Sequence, residues 1–115
     1  MRMFRLKDLA VVADPCVVAS TYWSRLIGLM GRAELATGSG LLIEPCNSIH
    51  TFFMRFAIDV LYLDRDQARN YKVVSIRRNM KPWRADFPVS GARAVLELPG
   101  GAAAHLIEGD LLCLS

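Results

Sequence analysis

The sequence predicts a mainly β protein: a β-sandwich, a jelly-roll-like fold or a squashed barrel, with one amphipathic helix packed on it. Three observations carry that expectation. Short runs of apolar and β-branched residues recur between Gly, Pro and Asp turns, the pattern of strands joined by tight connections. Only residues 21–30 place apolar side chains at helical spacing. Residues 58–63 are apolar at every position but Asp59, which describes an interior strand covered on both faces. With 115 residues, 53% hydrophobic and 22% charged, the chain is expected to form a single domain, residues 1–115, around one core.

Residues 9–13 and 16–19 are two short apolar runs on either side of Asp14-Pro15, a turn pair in which proline cannot donate to a ladder. They predict a hairpin, or one strand broken by a bend. Ser20 or Thr21 then caps a helix on which Tyr22, Leu26, Leu29 and Met30 share one face, with Gly31 ending it. Gly28 in mid-helix costs about 1 kcal/mol relative to Ala and implies close packing. Residues 41–43 form a strand ending at Glu44-Pro45. After the central strand, residues 64–67 make a polar turn, and residues 71–76 return as the second arm of a hairpin. Residues 92–98 predict a half-buried strand, with Ala94, Leu96 and Leu98 on one face and Arg93 and Glu97 on the other. Residues 102–107 form one helical turn, and residues 111–114 close the chain as a strand.

Composition narrows the function classes. Fourteen Lys and Arg against eleven Asp and Glu leave a net charge of only +3, short of the concentrated basic face that nucleic-acid binding needs. The one dense basic segment, residues 77–84, carries Trp83 among its charges; it reads as a surface loop, with RNA binding as the alternative. Cys16, Cys46 and Cys113 are widely spaced and odd in number, so they are free thiols of a reducing compartment. No stretch has the length of a membrane span or a signal peptide, and the expected setting is the cytoplasm. Neither a Cys-x-x-Cys nor a His-x-x-x-His spacing occurs near the polar residues, so no metal or cofactor is implied. Edge strands of a small sandwich leave monomer and homodimer both open.

Three ordered blocks carry a family resemblance. Arg25 followed by Gly28-Leu29-Met30-Gly31-Arg32 is the first. His50-Thr51-Phe52-Phe53-Met54-Arg55 with Ile58-Asp59-Val60 and Leu63-Asp64 is the second, and Val95-Leu96-Glu97-Leu98-Pro99-Gly100-Gly101 with Gly109-Asp110 is the third. Together they resemble domain of unknown function family 192, over nearly the whole chain. The resemblance implies a compact β-rich fold with a helix, found in bacteria and archaea, and no established biochemical activity. Many relatives carry an N-terminal secretion signal, whereas this chain begins almost directly at its first strand.

The central stretch, residues 48–64, sets an imidazole, a guanidinium and two carboxylates in and around the most apolar run of the chain. Groups of that kind are rarely buried without partners or a purpose. Asp59 can accept backbone N–H groups or a bidentate Arg25 or Arg55, and Glu97 can pair with Arg93, giving a purely structural network. The leading functional reading is a non-catalytic module that binds a small ligand, anionic or sugar-like, or a partner. Its residues are His50, Arg55, Asp59, Arg25, Met54, Glu97 and Trp83, with Phe52, Phe53 and Trp23 as apolar walls. The alternative is a hydrolase or metal-assisted enzyme using His50 with Asp59 or Glu97. If residues 52–56 are extended, His50 and Arg55 face opposite ways unless a bend intervenes.

Overall fold

Eight strands pair into one sheet: β1 (Met3–Arg5), β2 (Val11–Ala13), β3 (Cys16–Ala19), β4 (Gly40–Ile43), β5 (Ile58–Arg65), β6 (Asn70–Met80), β7 (Ala94–Pro99) and β8 (Leu111–Leu114). The computed structural model describes residues 1–66 and 70–115, without the side chains of Tyr22, Trp23 and Leu26. The strand order is β2-β1-β8-β6-β5-β7-β4-β3. Every pair is antiparallel except β3 with β4. The mainly β expectation holds, with all eight described strands in one open sheet.

That sheet cannot be flat. Seven interstrand steps of ~4.8 Å would separate β2 from β3 by roughly 34 Å, yet the two edge strands are joined only through Asp14-Pro15. Three Cα steps reach at most about 11 Å. The chain therefore curls the open sheet until its two edge strands, though not paired with each other, come close. At the seam a Cβ on Gly40 would lie 2.8 Å from Ala13 Cβ and 3.0 Å from Leu98 Cδ2. Residues 11–13 and 16–19 run as strand, bend and strand through Asp14-Pro15, the broken-strand alternative rather than the hairpin, and β1, which the sequence pattern did not announce, pairs between β2 and β8.

Rolling gives two faces and two apolar clusters. The inner cluster draws on all eight strands, including Met3, Leu42, Leu61, Leu96 and Leu112, and on Ala103 and Leu106 from a run of turns at residues 100–107. The outer cluster joins Leu41, Ile43, Val60, Tyr62 and Val95 to Leu29, Ile49 and Met54 of the covering loops. Strand β5 is buried on both sides, as its composition predicts. Strand β7 is too, contrary to the half-buried expectation: Glu97 faces not solvent but the covering loops.

The helix is shorter than its pattern. Helix α1 (Tyr22–Ile27) begins with a capping box, in which Thr21 Oγ1 accepts from Ser24 N at 3.1 Å and Thr21 N donates to Ser24 Oγ at 3.0 Å. It stops at Gly28, whose φ of 48° is a conformation other residues rarely hold. Leu29 and Met30 lie beyond it, so the expected two-turn amphipathic face is absent. Tyr22, Leu26 and Trp23 bear on that expectation, but their side chains lie outside the described residues. Gly28 also has ordinary space around it; its role is to end the helix rather than to permit close packing. The β5–β6 hairpin forms as expected, though Gln67 of its turn is outside the described residues.

Asp59 takes the backbone option. Its Oδ1 accepts from Asn79 N at 2.8 Å and its Oδ2 from Ala103 N at 2.9 Å, tying the residue 100–107 turns to the end of β5. Asp59→Ala strands both amides, each costing about 1–3 kcal/mol, and urea unfolding is expected to show a loss of about 2–5 kcal/mol. Gly40→Ala forces a methyl into the seam between β2 and β7 and is expected to lower stability by about 1–3 kcal/mol in the same assay.

Candidate functional site

The outer face of β4, β7 and β5 is roofed by two loops. Residues 44–57 pack beside residues 81–92, and the stretch 52–56, considered above as extended, instead turns sharply, with φ of 65° at Phe53. Thr51, buried completely, clamps the two loops together. Its hydroxyl donates to Lys81 O at 2.6 Å and accepts from Arg84 N at 2.9 Å. Its backbone N–H donates to Arg84 O at 2.8 Å, and its carbonyl accepts from Trp83 N at 3.0 Å. Sequence reasoning passed over Thr51 because a hydroxyl among aromatics gives no sign of which backbone groups it meets.

Beneath this roof lies a cavity of about 170 Å³ whose lining includes Arg25, Cys46, His50, Met54 and Glu97. Four of the seven expected site residues, Arg25, His50, Met54 and Glu97, therefore meet there. Leu29, Met30, Cys46 and Ser48 are also in the wall, with Ile43 and Ile49 among its apolar part; these were not anticipated as lining, since the turns after α1 and β4 carry most of them over the sheet.

The other three are elsewhere. Asp59 is consumed by the two backbone amides, on the face of β5 opposite Val60. Arg55 is exposed and does not line the cavity. Trp83, 56% exposed, stands on the roof with its ring 4.9 Å from that of Phe53 and 6.0 Å from that of Phe52. The backbone does bend between His50 and Arg55, yet Arg55 stays exposed and off the cavity wall, so the two still do not converge.

Glu97 is the singular group. It is 3% exposed, and its Oε2 has no hydrogen-bond partner. The expected pairing with Arg93 does not form, because Arg93 turns to Asp64 at 3.4 Å. Burial pushes the Glu97 carboxyl up from 4.5 to about 7, partly offset by the positive charge of Arg32. Arg25 donates through Nη1 to Pro45 O at 2.9 Å and through Nε to Thr21 O at 3.4 Å, so two of its guanidinium nitrogens are already held by the backbone.

His50 accepts at Nδ1 from Phe52 N at 3.2 Å, which places the proton of the neutral ring on Nε2. Its ring stacks on Phe52 at 5.0 Å. Burial raises the Cys46 thiol above its ordinary range, and Sγ donates to Ser48 O at 3.0 Å; a nucleophilic cysteine needs the opposite shift. Among the described residues no group of three His, Cys, Asp or Glu side chains is placed to hold a metal.

The basic segment is partly absorbed by the fold. Strand β6 runs through Met80, so residues 77–80 are strand rather than loop. Arg77 bonds to Ser75, pairs with Asp86 at 3.2 Å and lies over the Tyr62 ring at 5.4 Å. Arg78 donates to the Ala103 and Leu106 carbonyls. These cations serve the framework.

The sequence profile of the DUF192 family, described as uncharacterized ACR, matches residues 8–112. The chain belongs to that family. Among curated DUF192-like relatives, a UPF0127 protein of Pyrococcus horikoshii is 37% identical over 87 residues, 73% of this chain and 71% of the relative. A UPF0127 protein of Thermococcus sibiricus is 32% identical over 93 residues, 77% of this chain and 57% of the relative, so the chain spans just over half of that relative's length. A protein of unknown function from Novosphingobium aromaticivorans shares the DUF192 chain's fold, with a TM-score of 0.77 at 23% identity, over 98% of this chain and 82% of that one. No described helix is long and apolar enough to cross a membrane.

The Glu97 shift sets a pH dependence. Its folded value of about 7 exceeds the ordinary 4.5, so the folded state holds the proton more tightly than the unfolded chain does. Stability is untouched below pH 4.5, falls as pH rises from 4.5 to 7, and stays lowered above, by about 3 kcal/mol at one kcal-scale step of ~1.4 per unit. In thermal unfolding between pH 4.5 and 8, Glu97→Gln is expected to abolish that component of the decline.

Proposed function

We propose that this chain is a non-catalytic small-ligand-binding module and that its site is the cavity over Glu97. The observation that supports the reading is a carboxylate oxygen, buried and without a partner, at an internal space. A buried polar atom left unmade costs about 1–3 kcal/mol, and residues kept against stability are the mark of function more often than of framework. Elsewhere the fold satisfies its carboxylates: Glu44 accepts from Tyr71 at 2.9 Å, and Asp86 from Tyr62 at 2.6 Å.

Size and polarity narrow the occupant. A cavity of about 150 Å³ takes a benzene-sized molecule, so 170 Å³ suits one only slightly larger, or one edge of a sugar. An anion would meet Glu97, whereas a donor-bearing molecule would complete it. The hydrolase reading of His50 with Asp59 or Glu97 has less support: Asp59 is spent on the backbone, and although His50 and Glu97 both line the cavity, His50 Nδ1 takes the Phe52 amide and Glu97 Oε2 has no partner.

A fragment library followed by thermal unfolding tests the proposal. Ligand at a hundred times its Kd adds about 2.7 kcal/mol of stability, which is expected to raise Tm by several degrees for the wild type and to leave Glu97→Leu unmoved. Hits that stabilise both proteins equally would place the binding site elsewhere.

A further inference from the structure

Resting on that reading, we propose that the ligand group seated in the cavity is a primary alkylammonium, its stem against Leu29, Ile43, Ile49 and Met54 and its charge on Glu97 Oε2. An ionised carboxylate only accepts, so its complement must donate. A neutral donor would fill the hydrogen bond but leave the negative charge of a carboxylate that is 3% exposed without an ion-pair partner, which is the costlier deficit. A cation removes both.

The kind of cation follows from the walls. A guanidinium brings five donors in a rigid fork and needs several acceptors around it. The acceptors the cavity offers are one carboxylate and the Ser48 hydroxyl; Arg25, Cys46 and His50 complete the polar part of a lining otherwise made of Ile, Leu, Met and Gly. A compact ammonium on a flexible aliphatic stem suits that lining, and a five-carbon stem with its nitrogen matches the space that a benzene-sized molecule needs.

The chain's own cations do not take the place. Arg25 is turned to the Thr21 and Pro45 carbonyls. The charge of Arg32 reaches Glu97, but among the described residues no basic side chain forms an ion pair with it. The remaining titratable groups on this side are Cys46 and His50 in the cavity wall. On the same face of β5, Tyr62 has its hydroxyl committed to Asp86, which also holds Arg77.

The source of the group is either a free small amine or a lysine side chain of another molecule, and one titration separates them. Methyl signals of Met30 and Met54 would be followed by NMR as n-pentylamine, 1-pentanol, pentanoate or Nα-acetyl-lysine-N-methylamide is added to the 115-residue chain. Pentylamine is expected to bind at least tenfold more tightly than pentanol, with pentanoate giving no shift. Because alkylamines stay charged to about pH 10 while Glu97 ionises near 7, amine affinity should rise roughly tenfold between pH 6 and 8, and pentanol affinity much less. Glu97→Gln should remove the preference for the amine.

Comparable binding of the lysine derivative assigns the pocket to a protein side chain; binding of pentylamine alone assigns it to a free amine, and both support the proposal. Pentanol binding as well as pentylamine, or an amine affinity flat with pH, would overturn the ammonium assignment while leaving the small-ligand reading intact. These two comparisons use the wild type and hold even if Glu97→Gln fails to fold. If neither these probes nor any library fragment moves the two methyl signals, both inferences fall together.

Discussion

The pairing of β5 with β7 is the constraint on which the rest of the molecule depends. Both strands are covered on both faces, so apolar material has to be brought to each side: the other strands by curling the sheet on one, the segments 28–35, 44–57 and 81–92 on the other. The hydrophobic gain of such burial is non-directional, at roughly 25 cal/mol per Å². Direction comes from the few polar groups set among the apolar ones. Asp59 pins the turns that close one end of the roll, and Thr51 pins the two roof loops to each other.

Asp59 and Glu97 show how position decides what a buried carboxylate is for. They face opposite sides of the sheet, Asp59 pairing across the β5–β7 ladder with Leu98 and Glu97 with Val60. Asp59 meets two backbone amides and becomes framework. Glu97 meets Met, Leu and Ile side chains and a space, and carries an unmade hydrogen bond and a raised pKa instead. The same chemical group is thus spent in one place and held available in the other.

Around the roof, backbone conformation works in the same direction. Phe53 and Trp83 both hold φ of 65°, a region bulky residues seldom occupy. Their rings lie against each other; Trp83 O accepts from Arg84 Nη1 at 3.5 Å and Phe53 O from Gly31 N at 3.0 Å, while the Thr51 clamp ties the two loops together. His50 links this aromatic group to the cavity through its stack on Phe52.

Much of this was legible in the residues. Ile58 to Leu63, apolar at alternate and intervening positions, had to be an interior strand, and a carboxylate beside it had to find backbone donors or a cation. The three ordered blocks named the family, and His50, Arg25, Met54 and Glu97 were recognisable as residues too polar or too adaptable for a plain core. What composition and periodicity determined, then, was a β protein and a short set of suspects. Only the tertiary structure decided that the sheet is one rolled layer, that Gly28 ends the helix, that Arg55 and Trp83 stay on the surface, and that Asp59 and Glu97 part company. The reason is physical: periodicity reports which side of a strand a residue takes, whereas partners across a seam, such as Gly40 with Ala13 or Thr51 with Lys81, are set by contacts between residues far apart in the chain.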